Sequence, residues 1–198
     1  MTGAREEVLD RVRSALGADV VVPEVPRAYG HDLTGDVVDL FCERVADYLA
    51  TVTRVTPGEL ETALAERCGG RVIAAPGVEW PASARDTPDI PAAELDGYDA
   101  ALTGCALAIA ETGTIVLDGG AASGRRALTL VPDHHLCVVD ASQIVASVPD
   151  AIAALAGAAR EGRPITFVSG PSATSDIELE RVEGVHGPRK LDVFVVTG

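Results

Sequence analysis

Apolar residues recur along this chain in two rhythms, and the change between them outlines the architecture. Val8, Val12 and Leu16 fall at helical spacing within residues 4–16, which predicts a short amphipathic helix. Pro23, Pro26, Gly30 and Gly35 interrupt the pattern and predict a tether. From Asp36 to Leu49 the helical period returns, with Val37, Val38, Phe41, Val45 and Leu49 on one face. Val52 to Val55 predicts a strand. Thr56-Pro-Gly-Glu59 then has the form of a capping box, in which Thr and Glu side chains satisfy each other's backbone N–H groups. Gly69-Gly70 ends that helix, and Arg71 to Ala75 predicts the next strand.

Beyond a Pro-, Asp- and Ala-rich excursion over residues 76–97, with a short helix predicted around Ala92 to Leu95, the rhythm changes. Compact apolar runs follow at Ala100 to Thr103, Thr114 to Leu117, Leu136 to Val139, Ile165 to Val168 and Val193 to Val196. Each is bounded by Gly, Pro, Asp or Ser, and continuous apolar runs of this length suit strands buried on both faces. Pro149 to Ala159 predicts an alanine-rich helix between two of them. Strands alternating with helices predict an α/β domain with helical layers. Residues 1–35 are expected to form a helix and tether, and residues 36–198 the α/β domain.

Composition narrows the partners. With 198 residues and 47% hydrophobic content, the chain has room for one sizeable core without metal or disulfide staples. A formal net charge of −14 repels nucleic-acid phosphates and anionic membranes, so neither nucleic acid nor membrane insertion is expected. No run approaches the ~18 apolar residues of a membrane span, and the N-terminus lacks the apolar stretch of a signal peptide. A cytoplasmic location is the expectation. Cys42, Cys68, Cys105 and Cys137 lie far apart without a C-x-x-C pair, so no cofactor is expected to bind through cysteines. Each reads as a small apolar residue.

Candidate chemistry gathers in glycine-rich turns at strand ends. The first is Thr103-Gly104 with Glu111-Thr112-Gly113-Thr114: a carboxylate at a pocket edge, two hydroxyls from Thr112 and Thr114, and a glycine that lets backbone approach a ligand. The alternative is a helical turn over Cys105 to Ala110 stopped by Gly113. In the second, Asp118 to Arg126, small residues precede Arg125 and Arg126, which could hold a carboxylate or phosphate or lie solvated in a loop. The third runs from Ser169 and Gly170 through Ser172, Thr174, Asp176 and Glu178. Ser175-x-x-Glu178 has capping-box form and predicts a helix N-terminus, but Asp176 and Glu178 would repel phosphate. His186, enclosed in Gly184-Val-His-Gly-Pro188, could act as a general base, a proton donor or a ligand, or simply hydrogen-bond. His134 and His135 are not expected to share a metal ion, because adjacent strand residues face opposite sides. One should face the core or a crevice and the other solvent. No Gly-x-Ser-x-Gly elbow and no G-x-G-x-x-G fingerprint occurs, which argues against a serine hydrolase and a nicotinamide enzyme.

Taken in order, Thr103 to Thr114, Arg126 to Val139, Ser169 to Glu178 and Gly184 to Pro188 resemble the LUD-domain family. The resemblance covers roughly the last half of the chain. It implies a three-layer, Rossmann-like α/β fold like that of the NagB/RpiA/CoA-transferase group. It also implies a part in bacterial oxidation of L-lactate to pyruvate beside iron–sulfur partner proteins, this chain being a cluster-free component. A small organic acid or cofactor would occupy the crevice. By analogy with the fold group, Glu111 could instead be the nucleophile of a stand-alone enzyme acting on a CoA ester or phosphorylated metabolite. A non-catalytic, ligand-sensing domain is the remaining reading.

Overall fold

The computed structural model describes residues 3–17, 21, 23–25, 35–171 and 187–198. It divides into two units, residues 1–30 and 31–198. The first holds helix α1 (Ala4–Leu16), laced by Glu7–Arg11 and Asp10–Arg13 ion pairs one turn apart. The second is the α/β body.

That body is built on a six-stranded, all-parallel sheet in the order β1 (Thr51–Val55), β10 (Lys190–Val196), β7 (His134–Asp140), β4 (Ala100–Thr103), β2 (Val72–Ala74) and β3 (Ala84–Arg85). Its two longest strands, β7 and β10, are central neighbours and almost wholly buried, as their unbroken apolar runs require. Alternation along them divides the core in two. Leu136, Val138, Phe194 and Val196 face one side, where Leu60 and Leu64 of α3 (Leu60–Arg67) and Leu95 and Leu128 of two short 3-10 turns cover them. Cys137, Val139, Leu191, Val193 and Val195 face the other side, against Phe41 and Val45 of α2 (Val37–Asp47). The α2 N-terminus is held by Asp36, whose Oδ1 accepts from the N–H groups of Val38 at 2.7 Å and Asp39 at 3.1 Å.

A second sheet lies on that same side. It runs β8 (Ile144–Val145), β5 (Leu107–Ile109), β6 (Thr114–Leu117), β9 (Thr166–Val168), with β5–β6 and β6–β9 antiparallel. Ala108, Ile115 and Leu117 face the parallel sheet. Leu107, Ile109 and Val116 face outward onto Ala151 and Leu155, contributed by α4 (Val148–Ala154) and the joint that leads into α5 (Ala156–Arg160). The α/β architecture is therefore as the periodicity predicts, with a second sheet added between the parallel sheet and α4.

Three local expectations change. Cys105 to Ala110 contains strand β5 rather than a helical turn, because Leu107–Ile109 pairs with Thr114–Val116 in a hairpin. The alanine-rich helix breaks into α4 and α5 at Leu155. Strand β9 is not buried on both faces, since Phe167 at its centre is 47% exposed.

Candidate functional site

Strand β7 begins with two imidazoles, and its alternation sends them to opposite faces of the sheet. His134 lies on the α3 side, where its Nε2 is 3.0 Å from Oδ2 of Asp192 on β10. It is mostly buried rather than facing solvent. Hydrogen bonds from His134 and from Thr51 act against burial and hold the Asp192 carboxyl below its usual range. His135 enters the space between the two sheets and is only 2% exposed. Its Nε2 lies 2.8 Å from Oγ1 of Thr103, at the end of β4. Burial pushes its pKa down to about 4, with repulsion from His134 and Arg126 adding to the effect. At neutral pH the ring is uncharged, with one donor and one acceptor nitrogen.

The His135 ring forms part of the wall of a cavity of about 70 Å³. Arg126 and Thr129, from the 3-10 turn Arg126–Thr129, form another part, and the segment 167–171 with Leu191 closes the far side. The cavity lies at the amino-terminal ends of β7 and β10, between the sheets. Nη1 of Arg126 donates to Oγ1 of Thr129 at 2.9 Å. No carboxylate pairs with Arg126 among the described residues, and burial lowers its pKa. It remains a cation at any physiological pH.

The neighbouring arginine has a different task. Arg125 forks onto Asp86, with Nε 2.9 Å from Oδ2 and Nη2 2.8 Å from Oδ1, and Nη2 also donates to the Ile90 carbonyl at 2.7 Å. Asp86 is 3% exposed, so the pair closes on a buried carboxylate. Arg125 was expected to grip a ligand; its Nε and Nη2 are instead engaged inside the fold.

The glycine-rich turns come together only in part. Oγ1 of Thr114 sits 2.7 Å from Oγ1 of Thr112 and 2.7 Å from Oγ of Ser169, so three hydroxyls connect the β5–β6 hairpin to the cavity rim. Ser169 and Gly170 line the cavity. At Gly113 the close approach is to protein rather than ligand: with φ of +59°, a Cβ there would lie 2.6 Å from the backbone of Arg44 and Val45 in α2. Gly104 likewise packs against the chain, its N–H donating to Ala122 O at 2.9 Å. Glu111 is half-buried, its N–H bonded to the carbonyl of Ala146 at 3.1 Å, and it is not part of the cavity wall. Ser172, Thr174, Asp176, Glu178 and His186 lie outside the described residues.

Cysteine chemistry is unfavourable here. Contact with Cys137 and burial push the Cys105 thiol well above its usual range, which keeps it protonated and inert. Cys42 and Cys68 are half-buried rather than core, and Cys42 accepts from Nε of Arg54 at 3.3 Å. Among the described residues no cluster of His, Cys, Asp and Glu could hold a metal ion, and no helix is long and apolar enough to cross a membrane.

A parallel sheet roofed by a second sheet, with a small cavity of mixed polar and apolar lining between them, defines a class of α/β domain to which known proteins can be compared. Residues 91–196 match the family model of the LUD domain. A protein of Deinococcus radiodurans named lactate utilization protein C is 52% identical over 169 residues, spanning 81% of this chain and 80% of that one. A protein of the same name from Geobacillus kaustophilus is 30% identical across 88% of this chain and 82% of its own. A crystal structure of a DUF162 family protein from Deinococcus radiodurans superposes with a TM-score of 0.71 at 45% identity, covering 81% of this chain and 96% of that one. The chain belongs to the LUD domain family.

Two measurements separate structural from site residues. Arg125→Met should cost about 3 kcal/mol in denaturant unfolding, because it strands a buried carboxylate. Arg126→Met, which strands none, should cost about 1 kcal/mol or less. The second measurement is stability against pH. The unfolded His135 imidazole takes up its proton near pH 6.5 and the folded one near pH 4, so the unfolded chain binds more protons between those values. Stability should fall as pH drops through that window, by roughly 3 kcal/mol in total. A His135→Gln chain should lose that component of the slope.

Proposed function

We propose that this chain is a cytoplasmic component of an L-lactate utilization system, in which L-lactate is oxidised to pyruvate with iron–sulfur partner proteins. The observation that carries the reading is 52% identity to a lactate utilization protein C over four fifths of both chains. Oxidising lactate to pyruvate removes two electrons and two protons. In this reading the partners' iron–sulfur clusters carry the electrons, and this chain is the component without a cluster. Its cysteine spacing supports that division: it lacks the closely spaced cysteine runs by which ferredoxin-like proteins hold clusters.

Deleting the gene for this chain from its host should stop or sharply slow consumption of L-lactate, while growth on pyruvate stays normal. A tagged copy should restore consumption and bring iron–sulfur proteins with it through purification. Unchanged lactate consumption in the deletion strain would refute the assignment.

A further inference from the structure

We infer that the cavity between the sheets binds a small 2-oxo or 2-hydroxy monocarboxylate, with Arg126 gripping the carboxylate and His135 meeting the oxygen on C2. The inference rests on the lactate-utilization reading for its choice of acid, and on the cavity itself for everything else.

Size is the first argument. About 10–15 Å³ of such space admits one water-sized atom, so a cavity of about 70 Å³ takes roughly five to seven non-hydrogen atoms. Lactate and pyruvate, with three carbons and three oxygens each, fall in that range. A sugar phosphate or a CoA ester would have to extend out of it.

Charge is the second. In an acidic chain, Arg126 is the only charged residue lining this cavity among the described residues. Thr129 takes up one of its nitrogens, Nη1. Its Nε and Nη2 have no partner among the described residues, and those two donors form the edge that a carboxylate binds in parallel. A half-buried cation with no counter-ion among the described residues gains most from such an anion, because the surrounding protein screens the attraction less than water does.

The third argument is the imidazole. His135 is fully buried, bonds Thr103 through Nε2, and has no partner at Nδ1 among the described residues. The Thr103 hydroxyl can donate to Nε2 or accept from it. When it donates, Nδ1 carries the proton and can donate to a 2-oxo oxygen. When it accepts, Nδ1 is bare and can accept from a 2-hydroxyl. One neutral histidine thus serves both oxidation states of the same acid. Its low pKa keeps it from becoming a second cation that would favour a dianion. Leu191, Val168 and Phe167 on the far wall provide an apolar surface for a methyl group at C3.

Titration calorimetry on the whole chain tests this, with pyruvate, L-lactate, propionate and inorganic phosphate as probes. Pyruvate and L-lactate should bind, and propionate, which lacks the C2 oxygen, about tenfold more weakly. Phosphate should not displace pyruvate. Arg126→Gln should weaken pyruvate binding at least tenfold while the melting temperature stays near that of the parent chain. Thr129→Val should weaken it less, by releasing the guanidinium from its anchor. Absence of pyruvate and lactate binding at millimolar concentration, equal binding of propionate, displacement by phosphate, or full binding by a folded Arg126→Gln chain would each overturn the inference. Arg126→Gln in the host separates the two claims. If it supports lactate consumption like the parent, the cavity is wrong and the functional reading stands. If even the parent chain fails to restore consumption, the functional reading is wrong.

Discussion

The ion pair between Arg125 and Asp86 decides what the neighbouring arginine can do. Asp86 follows the short edge strand β3 and is sealed from water, so its carboxylate must be matched inside the fold. Arg125 meets it with a fork of hydrogen bonds and ties the 118–131 segment to the sheet edge. With that residue committed, the next one, Arg126, opens the 3-10 turn and takes its place in the cavity wall beside His135. Two adjacent arginines of the same type thus divide into a structural clamp and a cation with no carboxylate partner among the described residues.

The second sheet gives the cavity its roof. Its β5–β6 hairpin can lie close to α2 only because residue 113 is a glycine with positive φ. The same hairpin presents Thr114, whose hydroxyl reaches Ser169 at the end of β9. Gly170, also at positive φ, comes within the space a Cβ would need beside Tyr48. The glycines in these turns therefore serve packing between layers, and the polar surface they create is a by-product of that packing at one end of the sheet.

Much of this frame was legible in the chain. The runs at 100–103, 136–139 and 193–196 are all parallel strands, and the helices at 4–16 and 36–49 occur within a residue or two of their periodic patterns. What escaped has local physical reasons. Strands β3 and β8 are two residues long, too short to show a period. Strand β5 is the run Leu107-Ala-Ile109, whose alanine fits a helix as well as a strand, and only its pairing with β6 decides. The site was half legible. Alternation sends His134 and His135 to opposite faces, one of them to the core or a crevice, but which one depends on the side to which Cys137 and Val139 turn, a fact of packing. The distinction between Arg125 and Arg126 rests on a carboxylate 39 residues away, beyond any local pattern. Thr103 stood in the first candidate turn but without a role, and Thr129 had no sequence signal, since a lone threonine at a turn end is commonplace.

The most direct test of the central claim, that the space between Arg126 and His135 is the ligand site, is a crystal structure of the chain grown with pyruvate. The carboxylate should lie against the Arg126 guanidinium, the 2-oxo oxygen towards the His135 ring, and the methyl group on the Leu191 side. Pyruvate bound instead beside Glu111, or in the groove of His134 and Asp192 on the opposite face of the sheet, with only water between Arg126 and His135, would contradict it.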